Sequence, residues 1–173
     1  MKLYHGTTFS SSKIIEKDKK LSCSAPRFYS DDHMFPSQKG YIYLTNNPGL
    51  AFYYGNKHSV FSKPQESLYT VYVIEIKENL LQIDSDELKY VFRLNSQEIK
   101  NISFHDSLIK TQTCRVNFDL LFGEHVKKKI TLPTSMNFED NYKLTSTIIN
   151  LREKVNFKEV LSITEKLDWI HLE

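Results

Sequence analysis

The sequence predicts an α+β fold with a mostly antiparallel or mixed sheet, and three observations carry that expectation. Runs rich in β-branched and aromatic residues recur at KLYHGTT, YIYLT, SLYTVYVIEIKENLLQI, TCRVNFDLLF and GEHVKKKITL. Helical stretches lie between them without regular strand–helix–strand alternation, which argues against a Rossmann arrangement. Neither a GxGxxG nor a GxxxxGKS/T loop occurs, so phosphate binding by either of those loops is unsupported.

The elements follow in chain order. KLYHGTT reads as a short first strand, and SSSKIIEKDKKL as a short helix capped by Ser10 or Ser11. Residues 22–40, with two prolines and a glycine, read as an ordered but irregular surface loop. YIYLT is a strand that stops at Asn47-Pro48, a favourable helix start. The helix that follows is expected to end near Gly55. SLYTVYVIEIKENLLQI is the strongest strand signal, apolar on both faces as for a central strand. DSDELKYVFRL starts a helix with Asp84 or Ser85 as cap. In TCRVNFDLLF, Cys114, Val116, Phe118 and Leu120 share one face, leaving Arg115, Asn117 and Asp119 on a polar face read as surface. GEHVKKKITL is a further strand closed by Pro133, and KEVLSITEKLDWI is an amphipathic helix.

The bulk properties set limits. The 173 residues, 40% hydrophobic and 13% aromatic, suit one folded domain. A core of about 1–135 and a helical part of about 139–173 are expected within it. Lys plus Arg number 23 against 21 Asp plus Glu, a net charge of +2 that does not announce a nucleic-acid binder but leaves a local patch open. Cys23 and Cys114 form no CxxC pair and read as reduced thiols. No signal-type apolar core and no membrane-length run is present, so a soluble cytoplasmic protein without a membrane partner is expected. His33 stands beside Asp31 and Asp32 but lacks a second ligand pair, and His58, His105, His125 and His171 form no metal-ligand spacing, so no metal is expected. Lys127, Lys128 and Lys129 would alternate along a strand and make no single patch.

The five glycines point to a site. Gly6 follows His5, Gly40 precedes YIYLT, Gly49 and Gly55 bracket LAFYY, and Gly123 precedes Glu124. If these glycines mark strand ends lining one cleft, their neighbours are His5, Tyr43, Tyr53 or Tyr54, and Glu124. The combination of YHGT, YLT with an Ala51–Tyr54 helix, and a later Gly-Glu resembles the His-Tyr-Glu ADP-ribosyltransferases of the poly-ADP-ribose-polymerase and diphtheria-toxin type. VYVIEIKENLLQIDSDEL and CRVNFDLLFGEHVKKKITLP are similar to small bacterial members, and the resemblance covers about residues 1–135.

That resemblance implies split antiparallel or mixed sheets around a cleft for NAD, with peripheral helices. NAD would be a substrate: ADP-ribose passes to an acceptor and nicotinamide leaves. Cleavage builds positive charge on the ribose, which a carboxylate stabilises, and Glu124 would have that role. Tyr43 and Tyr54 would form aromatic walls for nicotinamide. His5 would bond a ribose hydroxyl of the adenosine half as a positioner, and the Gly6 backbone would meet the nicotinamide amide. Thr7 and Ala51 come with the two motifs as cofactor-binding positions. Glu75, mid-strand, and Asp119 are rival carboxylates, and Tyr53 rivals Tyr54. The implied activity is mono-ADP-ribosylation of a macromolecular acceptor, nucleic acid slightly favoured over protein. An intracellular bacterial toxin of a toxin–antitoxin or anti-phage system, with a possible antitoxin partner, fits such a compact enzyme. The alternatives are an RNA 2′-phosphotransferase on the same fold and a non-catalytic NAD- or partner-binding module.

Overall fold

The computed structural model describes residues 1–27, 36–137 and 142–173. Its strands are β1 (Lys2–Thr8), β2 (Lys20–Leu21), β3 (Ile42–Thr45), β4 (Leu68–Glu75), β5 (Gln82–Ile83), β6 (Thr113–Val116), β7 (Leu120–Leu121), β8 (Val126–Pro133) and β9 (Ile170–His171). Its helices are α1 (Phe9–Asp18), α2 (Pro48–Phe61), α3 (Ser85–Tyr90), α4 (Ser96–Asn101), α5 (Phe104–Thr111), α6 (Tyr142–Asn150) and α7 (Phe157–Glu165). Seven strands form one sheet in the order β5-β6-β3-β1-β4-β8-β9, and β2 and β7 form a second, small sheet. All these strand pairs are antiparallel, so the expected α+β class with a mostly antiparallel sheet is what the chain adopts.

Local chemistry explains several boundaries. The Asn47 side chain accepts the Gly49 N–H with Pro48 in the first turn, which starts α2 where the sequence expects it. Asp84 accepts the Glu87 N–H and starts α3. The cap of α1 is Thr8, two or three residues earlier than expected: its hydroxyl accepts the Ser11 N–H. Other boundaries differ from expectation. α2 runs through Gly55 to Phe61, because Gly55 sits inside the helix where it crosses β1, with a side-chain position only 3.3 Å from the Thr7 nitrogen. The long run SLYTVYVIEIKENLLQI divides into β4, a 3-10 turn at Glu78–Leu80, and β5 on the opposite side of the sheet. TCRVNFDLLF likewise divides into β6 in the large sheet and β7 in the small one.

The sheet carries a hydrophobic layer on each face. On one face Leu3, Tyr72, Ile74, Leu44, Cys114 and Val116 pack with Leu21, Leu108 and Leu120. On the other, Tyr4, Tyr69, Val71 and Val73 pack with Ala51 and Phe52 of α2, Ile148 of α6 and Val160 of α7. The C-terminal helices therefore share a core with α2 and the sheet. They are also bonded to it: Asn47 Nδ2 donates to the Arg152 carbonyl (2.8 Å), and the Tyr69 hydroxyl meets Thr145 (3.1 Å).

Gly6 lies where α2 presses closest on β1. A Cβ there would sit on the Ala51 carbonyl oxygen and 2.8 Å from the Gly55 nitrogen. Strand alternation then places Tyr4 and Gly6 toward α2 and Leu3 toward the opposite layer. No helix among the described residues is long and apolar enough to cross a membrane.

Candidate functional site

The site is built where β1 and β3 part. β1 pairs with β4 at seven register positions, Lys2↔Glu75 to Thr8↔Tyr69, but with β3 at one, Tyr4↔Thr45. Beyond that position the His5 ring reaches across, and its Nδ1 meets the Tyr43 carbonyl oxygen at 2.9 Å. A carbonyl only accepts, so Nδ1 carries the proton. Burial, the larger effect, pushes the His5 imidazole below its ordinary pKa, and the Tyr43 carbonyl opposes it. The ring is therefore neutral near pH 7, with Nε2 as a lone-pair acceptor that takes no hydrogen bond among the described residues.

The helix α2 supplies the opposite wall. Ala51 and Gly55 form the stripe that meets β1. Tyr54 and His58, one turn apart, flank that stripe, their rings 6.0 Å between centroids. Burial first, then the nearby His5, lowers the His58 imidazole to about 3, so the two rings lie within electrostatic reach. The Tyr53 ring packs edge-on against Tyr54, centroids 5.3 Å apart, and carries the Arg152 guanidinium 4.7 Å over its own face. His58 escapes a reading that looks only for metal spacing; its signal is the helical step from Tyr54.

Tyr43 faces a buried polar cluster. Its hydroxyl donates to the Asp86 carboxylate, and the Gln38 N–H donates to that carboxylate (2.9 Å) and to the hydroxyl (2.8 Å). Gln38 Nε2 donates to the other Asp86 oxygen at 2.9 Å. Burial first, then the bond to Asp86, raises the Tyr43 phenol far above its usual range, so it stays protonated and donating. Arg115 stands directly across from Tyr43 on β6. It is 7% exposed, which corrects the expectation of a surface face: only Asn117 of that polar set is fully exposed. The packing of Tyr41 and α3 over this end of the sheet covers the guanidinium.

Glu124 is not brought to this cluster. It lies in the turn between β7 and β8, two residues before β8 begins, rather than opening a strand. Its side chain is 66% exposed and its one ion pair is with His125, at 3.7 Å. The register runs Leu3↔Ile74↔Val126 and His5↔Tyr72↔Lys129. With strands about 4.8 Å apart and residues about 3.3 Å apart along them, Glu124 is roughly 15 Å from His5. The positive φ of Gly123, 72°, belongs to this turn. The rivals do no better. Glu75 is exposed at the end of β4, opposite Lys2. Asp119 is engaged by Lys20 Nζ (2.7 Å), the Ser22 hydroxyl (3.1 Å) and the Cys23 N–H (2.9 Å), where it ties β2 to the β6–β7 turn. Thr7 is half-buried beside His5, opposite Thr70. His33 lies outside the described residues, among which no group of three or more His, Cys, Asp or Glu side chains could hold a metal.

The acids of α3 make a pH-dependent element next to the site. Burial, then the neighbouring Asp84, raises the Glu87 carboxyl to about 7. A carboxyl raised on folding stabilises fully below its unfolded value of about 4.5, and that contribution is lost as pH rises through 7. Wild-type thermal stability is therefore expected to fall between pH 5 and pH 8, and Glu87→Gln to flatten that slope. A slope unchanged in the variant would refute the assignment.

No family model matches the chain, and no curated protein matches it either.

Proposed function

We propose that the chain is an NAD-dependent mono-ADP-ribosyltransferase acting on a macromolecular acceptor, nucleic acid in preference to protein, in the manner of an intracellular bacterial toxin. The observation that supports this most is the His5 ring at the parting of β1 and β3. Its Nδ1 is committed to the Tyr43 carbonyl, so Nε2 is left to accept from a hydroxyl such as that of a ribose. Tyr54 on α2 offers an aromatic face on the same side as His58. In the reaction the bond from ribose C1′ to nicotinamide nitrogen breaks, nicotinamide leaves with the electron pair, and an acceptor nucleophile bonds C1′ and loses its proton. Protein groups that hold the ribose and face its developing positive charge lower that barrier. Glu124 lies in an exposed turn, and Asp86 is the buried carboxylate beside Tyr43.

The test is incubation of the purified protein with NAD labelled in the adenylate half and a total cell extract. Nicotinamide release and label in a polymer are expected, and protease and nuclease then identify the acceptor. Neither release nor label refutes the proposal, and NAD binding without release makes the chain a binding module. The buried Arg115 favours a second chemistry, removal of a 2′-phosphate from RNA with NAD. It is told apart by loss of phosphate from a 2′-phosphorylated oligonucleotide without covalent labelling.

A further inference from the structure

Arg115 is the feature that the transferase chemistry leaves unused. Its guanidinium lies 3.9 Å over the Tyr41 ring. Nε and Nη1 are buried and have no hydrogen-bond partner among the described residues. The nearest anion, Asp86 Oδ2, is 3.7 Å from Nη1, beyond hydrogen-bond reach, and its oxygens already serve Tyr43 and Gln38. Burying a guanidinium with unmet N–H groups is costly, so a fold that keeps one has use for it. Its planar fork matches a phosphate or carboxylate edge.

Arg115 does not itself line a cavity, but its neighbour Asp86, 3.7 Å away, does. Asp86 forms part of the wall of a space of about 480 Å³, whose other walls include Arg27, Lys39 and Lys89. Three cations and one acid line it, and that acid is already hydrogen-bonded on both oxygens. The volume lies in the range of small-molecule sites, roughly 300–1,000 Å³. The cavity is thus nucleotide-sized, positively charged, and backed by a buried arginine with donors to spare.

We propose that this cavity binds the phosphate of a phosphate ester, with Lys39 and Lys89 at the mouth and Arg115, behind Asp86, as the buried positive charge that favours the anion. The ligand chemistry is common to a dinucleotide pyrophosphate and to a polynucleotide backbone. The proposal goes beyond the transferase reading and stands whether or not nicotinamide is released.

The test follows the Arg115 Nε–H signal in the full-length ¹⁵N-labelled protein, assigned by its loss in Arg115→Lys. Inorganic phosphate, NAD and a ten-nucleotide RNA are titrated at constant ionic strength set with chloride. A saturable shift with phosphate is expected. It should weaken about tenfold in the Lys39→Ala/Lys89→Ala variant, the loss of two exposed charge contacts. Both lysines are exposed, so that variant keeps the fold. Saturation by NAD assigns the site to the dinucleotide, and saturation by RNA with NAD already present assigns it to the acceptor. No saturable shift with any of the three, or an undiminished affinity in the double variant, overturns the proposal.

Discussion

Gly6→Ala is expected to give the largest loss of stability of any single-methyl change in the protein. The added carbon would meet the Ala51 carbonyl oxygen and stand 2.8 Å from the Gly55 nitrogen. Both obstacles are main chain, so no side chain can swing aside. Either α2 lifts from β1 or β1 bends. Overpacking commonly costs 1–3 kcal/mol, and two rigid backbones put this site at about 3 kcal/mol or more. For a chain of this length that lowers Tm by roughly 6–12 °C. Gly40→Ala is the control: its φ of 81° strains a side chain, but nothing lies within 4 Å, and its cost is about 1 kcal/mol. Thermal unfolding of the two variants checks the contrast. A Gly6→Ala protein melting within 3 °C of wild type would show that the helix does not press on the strand as described. Gly6 thus has a packing reason to be glycine that is independent of any ligand.

The second large effect is on activity. His5→Ala is expected to slow nicotinamide release by about 100-fold, the scale of a misplaced substrate. Glu124→Gln is expected to leave it within twofold, because that side chain lies in an exposed turn roughly 15 Å from His5. The pH profile follows from the His5 tautomer. Its pKa is held below 6.5, so Nε2 stays an acceptor as pH falls through 6.5, and activity should not drop there on its account. Release measured for both variants between pH 5.5 and 8 decides the matter. If Glu124→Gln is inactive and His5→Ala is not, the site lies elsewhere.

The parts of the fold legible in the sequence are those governed by near neighbours. Asn47-Pro48 and Asp84 announce helix starts because a cap satisfies the next few N–H groups and needs no distant partner. The KLYHGTT strand follows from local composition alone. Two helices, α4 and α5, were not expected from the sequence, although each carries a capping signal, Asn95 with Glu98 and Ser103. The misreadings share a cause: tertiary contacts set the outcome. Gly55 has the composition of a helix stop, yet it is buried mid-helix by the crossing with β1. Arg115 alternates onto a polar face, yet Tyr41 and α3 cover that face. Glu124 precedes a strand-like run, but the chain spends it on the turn that reverses direction into β8.

The two ends of the large sheet carry a further consequence, for self-association. β5 and β9, its outermost strands, are each two residues long. An unpaired edge is a template on which another chain can add a strand, and a short edge offers few bonds to do so. The long strands β1 and β4 lie inside the sheet, whereas β8 is bordered by β9 only at Lys128 and Lys129. The fold therefore hides β1 and β4 most completely, and the outer edge of β8 beyond β9 is the one stretch among the described strands long enough to take an added strand, guarded by its lysines and its closing Pro133.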